Sequence, residues 1–233
     1  MPDRVPLLLL PGLLCDAALW QNQINHLKTM ADCAVANTTR HDTIGAIAQD
    51  VLRDAPAHFA LAGLSMGGYV ALEIMRQAPE RVIKLAIFDS SARADTKEQQ
   101  ERRRLLLVMS RAGQFKGVTP RLLPLLVHPD RIKDTALTSV ITEMAERVGR
   151  EAFNNQQSAI LNRIDSRPFL KNITCPTLVV GGNQDAITPP DLLRELAEGI
   201  MGATLHMIED CGHLATLEQP EIVNSLMEKW LGA

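Results

Sequence analysis

Ser65 lies between glycines in Gly63-Leu64-Ser65-Met66-Gly67, a G-x-S-x-G pattern with the apolar run His58–Ala62 before it and the helix-like "GGYVALEIMRQAP" after it. A serine on such a strand–turn–helix bend can act as a nucleophile. The bend lifts its Oγ above the sheet, and the crowded, strained backbone tolerates only small neighbours at Gly63 and Gly67. A serine hydroxyl is a weak nucleophile at neutral pH, so it needs a base within hydrogen-bond reach and a carboxylate to orient that base.

Six histidines compete for the role of base. His26, His41, His58, His128 and His206 fall on predicted helices, strand ends or the central insertion, where a solvated or structurally satisfied histidine is the ordinary case. His213 differs. It sits in "EDCGHLATLEQP", after the last predicted strand and before a proline-started helix, so it can hang over the carboxyl edge of the sheet, where open α/β folds place their sites. Asp185, in "TLVVGGNQDAITPPD" after the penultimate strand, is the preferred acid, because Ser65, Asp185 and His213 follow the chain order Ser…Asp…His. Asp89, in "LAIFDSSAR" after the fourth strand, competes for that role, and Asp210 lies too near His213 in sequence.

Acyl transfer also needs N–H donors for the developing oxyanion. The residue after the nucleophile supplies one, the Met66 amide, and the loop after the first strand supplies the other, assigned to Leu13, with Gly12 allowing close approach. Cys15 is nearby, but without an elbow or an ordered base it reads as a small buried hydrophobe.

These residues require a scaffold that brings distant loops to one edge. Short, near-continuous apolar runs at Val5–Leu10, Cys33–Asn37, His58–Ala62, Ile83–Phe88, Thr177–Val180 and Thr204–Ile208 alternate with helical patterns, which predicts a mostly parallel α/β sheet of about six strands covered on both faces. Asp42 is expected to cap a helix reaching Asp54, Pro189 or Pro190 to open one ending near Gly199, and Pro220 to start the last. The rhythm breaks between Ala92 and Ser166. That stretch reads as a helical insertion, with a capping box at Thr96 and Gln99 on a helix ending near Gly113, and Asp134 capping another that ends at Gly149. Residues 1–91 and 167–233 then form a core and 92–166 a cap. Within the cap, "EQQERRRLLL" reads as a solvated helix face, and its leucines as packing onto the core.

Composition limits the functional classes. In 233 residues, 46% hydrophobic content supports one sizeable core, while a net charge of −3 and 3% aromatics argue against a nucleic-acid surface. Four scattered cysteines without a CxxC pair read as reduced thiols of a cytoplasmic protein, not as a disulfide framework or zinc site. The apolar "VPLLLLPGLL" is broken by prolines and lacks a leader's basic flank, and no run reaches the length of a membrane span.

Taken together, "PGLLCDAALW", "GLSMGGYVAL", "CPTLVVGGNQDAITPP" and "CGHLATLEQPE" resemble the α/β-hydrolase family over nearly the whole chain, in the family's order and with a helical cap between the fourth and fifth strands. The resemblance implies a Ser-His-Asp hydrolase that forms an acyl-enzyme and uses neither metal nor organic cofactor. Two departures stand out. Pro11-Gly12 replaces the family's frequent His-Gly, and no antiparallel strand is expected before the first strand. The substrate expected is a small-molecule ester with a small or medium acyl chain. Thioester, lactone and carbon–carbon bond cleavage remain open on the same residues, as does a non-catalytic ligand-binding module or an interaction protein using the arginine-rich helix. Oligomeric state is not legible.

Overall fold

The computed structural model describes residues 4–232. The elements run β1 (Val5–Leu10), α1 (Gln21–Leu27), β2 (Ala31–Val35), α2 (Ile44–Asp54), β3 (Phe59–Leu64), α3 (Met66–Gln77), β4 (Val82–Phe88), α4 (Lys97–Met109), α5 (Leu123–Leu126), α6 (Thr135–Leu161), β5 (Thr177–Gly182), α7 (Pro190–Glu198), β6 (Thr204–Ile208), α8 (Ala215–Glu218) and α9 (Pro220–Gly232). Among the described residues the six strands form one sheet in the order β2-β1-β3-β4-β5-β6, and every pairing is parallel.

Alternation along the strands explains their unbroken hydrophobicity. Leu7 and Leu9 point into a core completed by Leu27, Met227 and Trp230, while Leu8 and Leu10 point into another with Ile47, Val70 and Leu193. Helices α1 and α9 therefore cover one face, and α2, α3 and α7 the other. A strand buried on both sides has no polar positions to show, and all six residues of β3 are buried.

The edge strands behave differently. β2 has alternating buried and exposed positions and begins two residues earlier than the expected Cys33–Asn37, because half of an edge strand faces water and hydrophobicity no longer marks its ends. Helix α2 is capped by Thr43, whose side chain accepts from the Ala46 N–H, and not by Asp42. The capping box of Thr96 and Gln99 opens α4. Asp134 caps α6, which does not end at Gly149: that residue leaves helical geometry at φ 75°, and the chain re-enters the helix and continues to Leu161.

The segment between β4 and β5 is helical and lies against the loops at the carboxyl end of the sheet: the His213 N–H donates to Leu126 O, and the Leu14 N–H to Gln156 Oε1. Its leucines divide. Leu107 and Leu123 are buried, whereas Leu105 and Val108 face solvent at 60% and 64% exposure, so these two do not pack onto the core. The charged face of α4 is only partly solvated, since Arg103 turns inward to bond Asp95 and Gln157.

Candidate active site

Because all strands run parallel, the loops after β1, β3, β4, β5 and β6 emerge at one edge, and these loops carry Leu13, Ser65, Asp89, Asp185 and His213. Ser65 joins β3 to α3 at φ 54°, ψ −115°, a strained conformation for a residue with a side chain. Contacts around it enforce the bend. A Cβ at Gly63 would collide with the Gly67 carbonyl, and one at Gly67 with the Leu10 carbonyl. The Ser65 N–H donates to Phe88 O at 2.9 Å, and the Ser90 hydroxyl donates to Ser65 O at 2.8 Å, so the backbone is tied to the neighbouring strand and the loop beyond it.

One chain of hydrogen bonds crosses the edge. His213 Nε2 lies 2.9 Å from Ser65 Oγ, and His213 Nδ1 lies 2.8 Å from Asp185 Oδ2. The other Asp185 oxygen accepts the N–H groups of Ile187 and Thr188 at 2.8 and 2.9 Å, and the Thr188 hydroxyl bonds the oxygen that faces His213. Burial pushes the Asp185 carboxyl up, but His213 and the bonds from Thr188 outweigh it and hold the pKa below the ordinary value. For His213 burial acts downwards, and attraction to Asp185, with further pull from Asp89 and Glu218, raises the pKa above the ordinary imidazole value.

Asp89 is brought to the same edge but has other partners. At φ 43°, fully buried, its Oδ1 accepts the Gly182 N–H at 2.9 Å and its Oδ2 the Ala215 N–H at 3.2 Å. Burial and then repulsion from Asp185 drive its pKa well above the carboxylate range. Three of the other histidines have partners away from this edge: His26 bonds Glu228, His41 Nε2 lies 3.5 Å from Asp50, and His128 Nδ1 accepts the Asp130 N–H.

The loop after β1 sits beside the serine. A Cβ on Gly12 would lie 3.4 Å from both Leu64 O and Ser65 Cβ, so the backbone just before Leu13 runs close to the nucleophile. Met66 is the first residue of α3, and its N–H is one of the four that a helix leaves without an internal acceptor. Cys15 is buried, and burial with the nearby Asp16 charge pushes its thiol up to about 12, leaving it protonated and inert.

Three contributors carry no motif of their own and were missed in the sequence. Thr188 clamps Asp185. Glu218, 2% exposed, accepts the N–H groups of Gly212 and Leu214, which flank His213, and that of His128 at 2.6 Å. Gln156 holds Leu14. For Glu218 the only available signal was its proximity to His213 in "CGHLATLE"; Gln156 offered none.

Among the described residues, no group of three or more His, Cys, Asp or Glu is placed to hold a metal ion, and no helix is long and apolar enough to cross a membrane.

A parallel α/β sheet carrying a strained serine between strand and helix defines a class, and the comparisons agree with it. A model described as the alpha/beta hydrolase family matches residues 7–226, and the chain belongs to that family. It is 30% identical to a putative carbamate hydrolase, RutD, of Azorhizobium caulinodans, over 97% of this chain and 91% of the other. It is 27% identical to a pimeloyl-[acyl-carrier protein] methyl ester esterase of Nitrosomonas europaea, over 82% of this chain and 75% of that one. Among solved structures, a thermophilic esterase from Thermogutta terrifontis superposes with a TM-score of 0.89 at 28% identity, covering 97% of this chain and 89% of the esterase. Hydrolysis is the reaction class that these relatives share by name.

Proposed function

We propose that this protein is a serine carboxylesterase acting on small-molecule esters of small or medium acyl chains, with Ser65 as nucleophile, His213 as general base and then acid, and Asp185 as the orienting carboxylate. The observation that carries this reading is the hydrogen-bond chain Asp185–His213–Ser65, with both links at 2.8–2.9 Å. Ser65 Oγ attacks the ester carbonyl while its proton passes to His213 Nε2. The carbonyl electron pair moves onto oxygen, and the Leu13 and Met66 N–H groups hold that charge. Collapse expels the alkoxide, which takes the proton from His213, and leaves an acyl-Ser65. Water then repeats the cycle: His213 takes its proton, and Ser65 Oγ leaves with that proton as the acid is released.

Residues 92–166 serve as the cap and the remainder as the hydrolase core. The cap is fastened beside the nucleophile by apolar packing: Leu14 packs with Ala145 and Phe153, against which Leu106, Phe115 and Val118 also lie. The four free cysteines support a reducing, cytoplasmic setting.

The esterase relatives support ester cleavage and the RutD relative a carbamate, which would use the same attack with an amine in place of the alcohol. Steady-state rates on p-nitrophenyl esters from acetyl to decanoyl, beside a carbamate, a thioester and a lactone, test the choice. The account expects the highest kcat/KM on an ester of eight acyl carbons or fewer. A preference of tenfold or more for the carbamate, thioester or lactone would replace the ester reading.

A further inference from the structure

The loop that carries Leu13 is a strained turn whose own hydrogen bond leaves a buried amide to be satisfied from outside. It turns between Gly12 and Cys15, where the Cys15 N–H donates to Gly12 O at 3.2 Å, and Leu14, the third residue of the turn, takes φ 59°. Turns with positive φ at that position ordinarily use glycine or asparagine, because a side chain is strained there. The turn's own hydrogen bond uses neither the Leu13 nor the Leu14 amide. Leu14 is only 6% exposed, so its N–H needs a protein acceptor, and a buried donor without one is costly.

Gln156 provides that acceptor. Its Oε1 accepts the Leu14 N–H at 3.0 Å, the residue is fully buried, and its Nε2 reaches Thr38 O and Oγ1, each at 3.4 Å, on the loop after β2. The amide therefore bridges two core loops from a helix that belongs to neither. The same helix grips this region again through Arg147, which bonds the Asp16 carboxylate at 2.7 and 3.3 Å. Residues 147 and 156 are nine positions apart, which puts them on opposite faces of a straight α-helix at 100° per residue. Gly149, at φ 75° and ψ −179°, breaks the helix between them and lets both side chains face the loop.

We infer that Gln156 is a positioning residue for oxyanion stabilisation: by holding the Leu14 amide it keeps the strained turn in the one arrangement that aims the neighbouring Leu13 N–H at the substrate oxygen. The inference rests on the serine-hydrolase reading above. It makes the cap helix part of the catalytic machinery, since any movement of α6 shifts an oxyanion donor.

The test compares Gln156→Met, similar in length but unable to accept this bond, with Gln156→Glu, which keeps an acceptor for the Leu14 N–H while losing the donor to Thr38 O, and Thr38→Val, which removes only the hydroxyl contact on the far side of the amide. Readouts are kcat and KM on the preferred ester, normalised to active sites titrated with a fluorophosphonate, and Ki for a trifluoromethyl ketone, whose hemiketal oxygen occupies the oxyanion position. Gln156→Met should lower kcat by about 10–100-fold with KM changed less than threefold, because a misaimed donor is lost mainly in the transition state. Its ketone Ki should weaken by the same factor as kcat/KM. Gln156→Glu should be faster than Gln156→Met, recovering part of the rate, and Thr38→Val should stay within about twofold of the wild type. Should Gln156→Met not fold, Gln156→Asn, which withdraws the amide by one methylene, should show the same split. A folded variant with kcat and ketone Ki at wild-type values, or one that loses only thermal stability or titratable sites, overturns the inference. Gln156→Glu as slow as Gln156→Met also overturns it. A wild type that neither hydrolyses esters nor binds the ketone overturns instead the reading on which it rests.

Discussion

Asp89 and Asp185 follow neighbouring strands at the same sheet edge, yet Asp185 alone bonds His213, at 2.8 Å, while both Asp89 oxygens are taken by the backbone N–H groups of Gly182 and Ala215. Two carboxyls in similar positions thus have opposite tasks, and substitution should separate them.

Asp185→Asn should reduce kcat by about three to four orders of magnitude, because the amide cannot stabilise the imidazolium or hold its tautomer. Asp89→Asn should leave kcat within about tenfold and cost roughly 1–3 kcal/mol of stability through a mismatched backbone N–H. Kinetics and thermal midpoints of both variants check this pair of outcomes.

The same contrast appears in the pH dependence of stability. The folded pKa of Asp89 lies above its unfolded value of about 3.9, so the native state binds the extra proton, and wild-type stability from this group falls as pH rises through the folded pKa. Asp89→Asn should therefore be less destabilising at pH 8 than at pH 4, measured by urea denaturation at both. Asp185 has the opposite sign: its depressed pKa contributes stability above about pH 3.9 that is lost as pH falls through the folded value.

For activity, the group that matters is His213, which must be neutral to accept the Ser65 proton. Its raised pKa places the acid limb of kcat/KM above the ordinary value of about 6.5. A pH–rate profile from 5 to 9 should show that midpoint, and Asp185→Asn should move it down by removing the attraction that raises it.

Glu218 secures the loop on which His213 rides. Glu218→Ala would strand three N–H groups, those of Gly212, Leu214 and His128, and should cost about 2–4 kcal/mol together with a fall in kcat. Glu218→Gln keeps one oxygen acceptor and should lose less of both. Thermal unfolding beside ester turnover makes the comparison.

How much of this was legible in the sequence follows from distance along the chain. The serine elbow is written within five residues, and its steric demand for Gly63 and Gly67 leaves a mark that can be read locally. Asp185 and His213 could be picked out because parallel strands send their following loops to one edge. The parts that stayed hidden depend on pairings across the fold: Gln156 meets Leu14 over 142 positions, and Glu218 meets His128 over 90. The sequence points to Gly149 as the end of α6 because glycine at a break and glycine at a terminus look alike there, whereas beyond the break the helix resumes and buries Ala152, Phe153 and Ile160.

The most direct measurement is covalent labelling of the nucleophile. Incubated with a fluorophosphonate, the wild-type protein should gain one adduct per chain, located by peptide mass spectrometry on Ser65. Ser65→Ala should remain folded, take up no adduct and lose several orders of magnitude in ester turnover. A folded wild type that resists the probe, or a Ser65→Ala variant that hydrolyses esters at near-normal rates, would contradict the account.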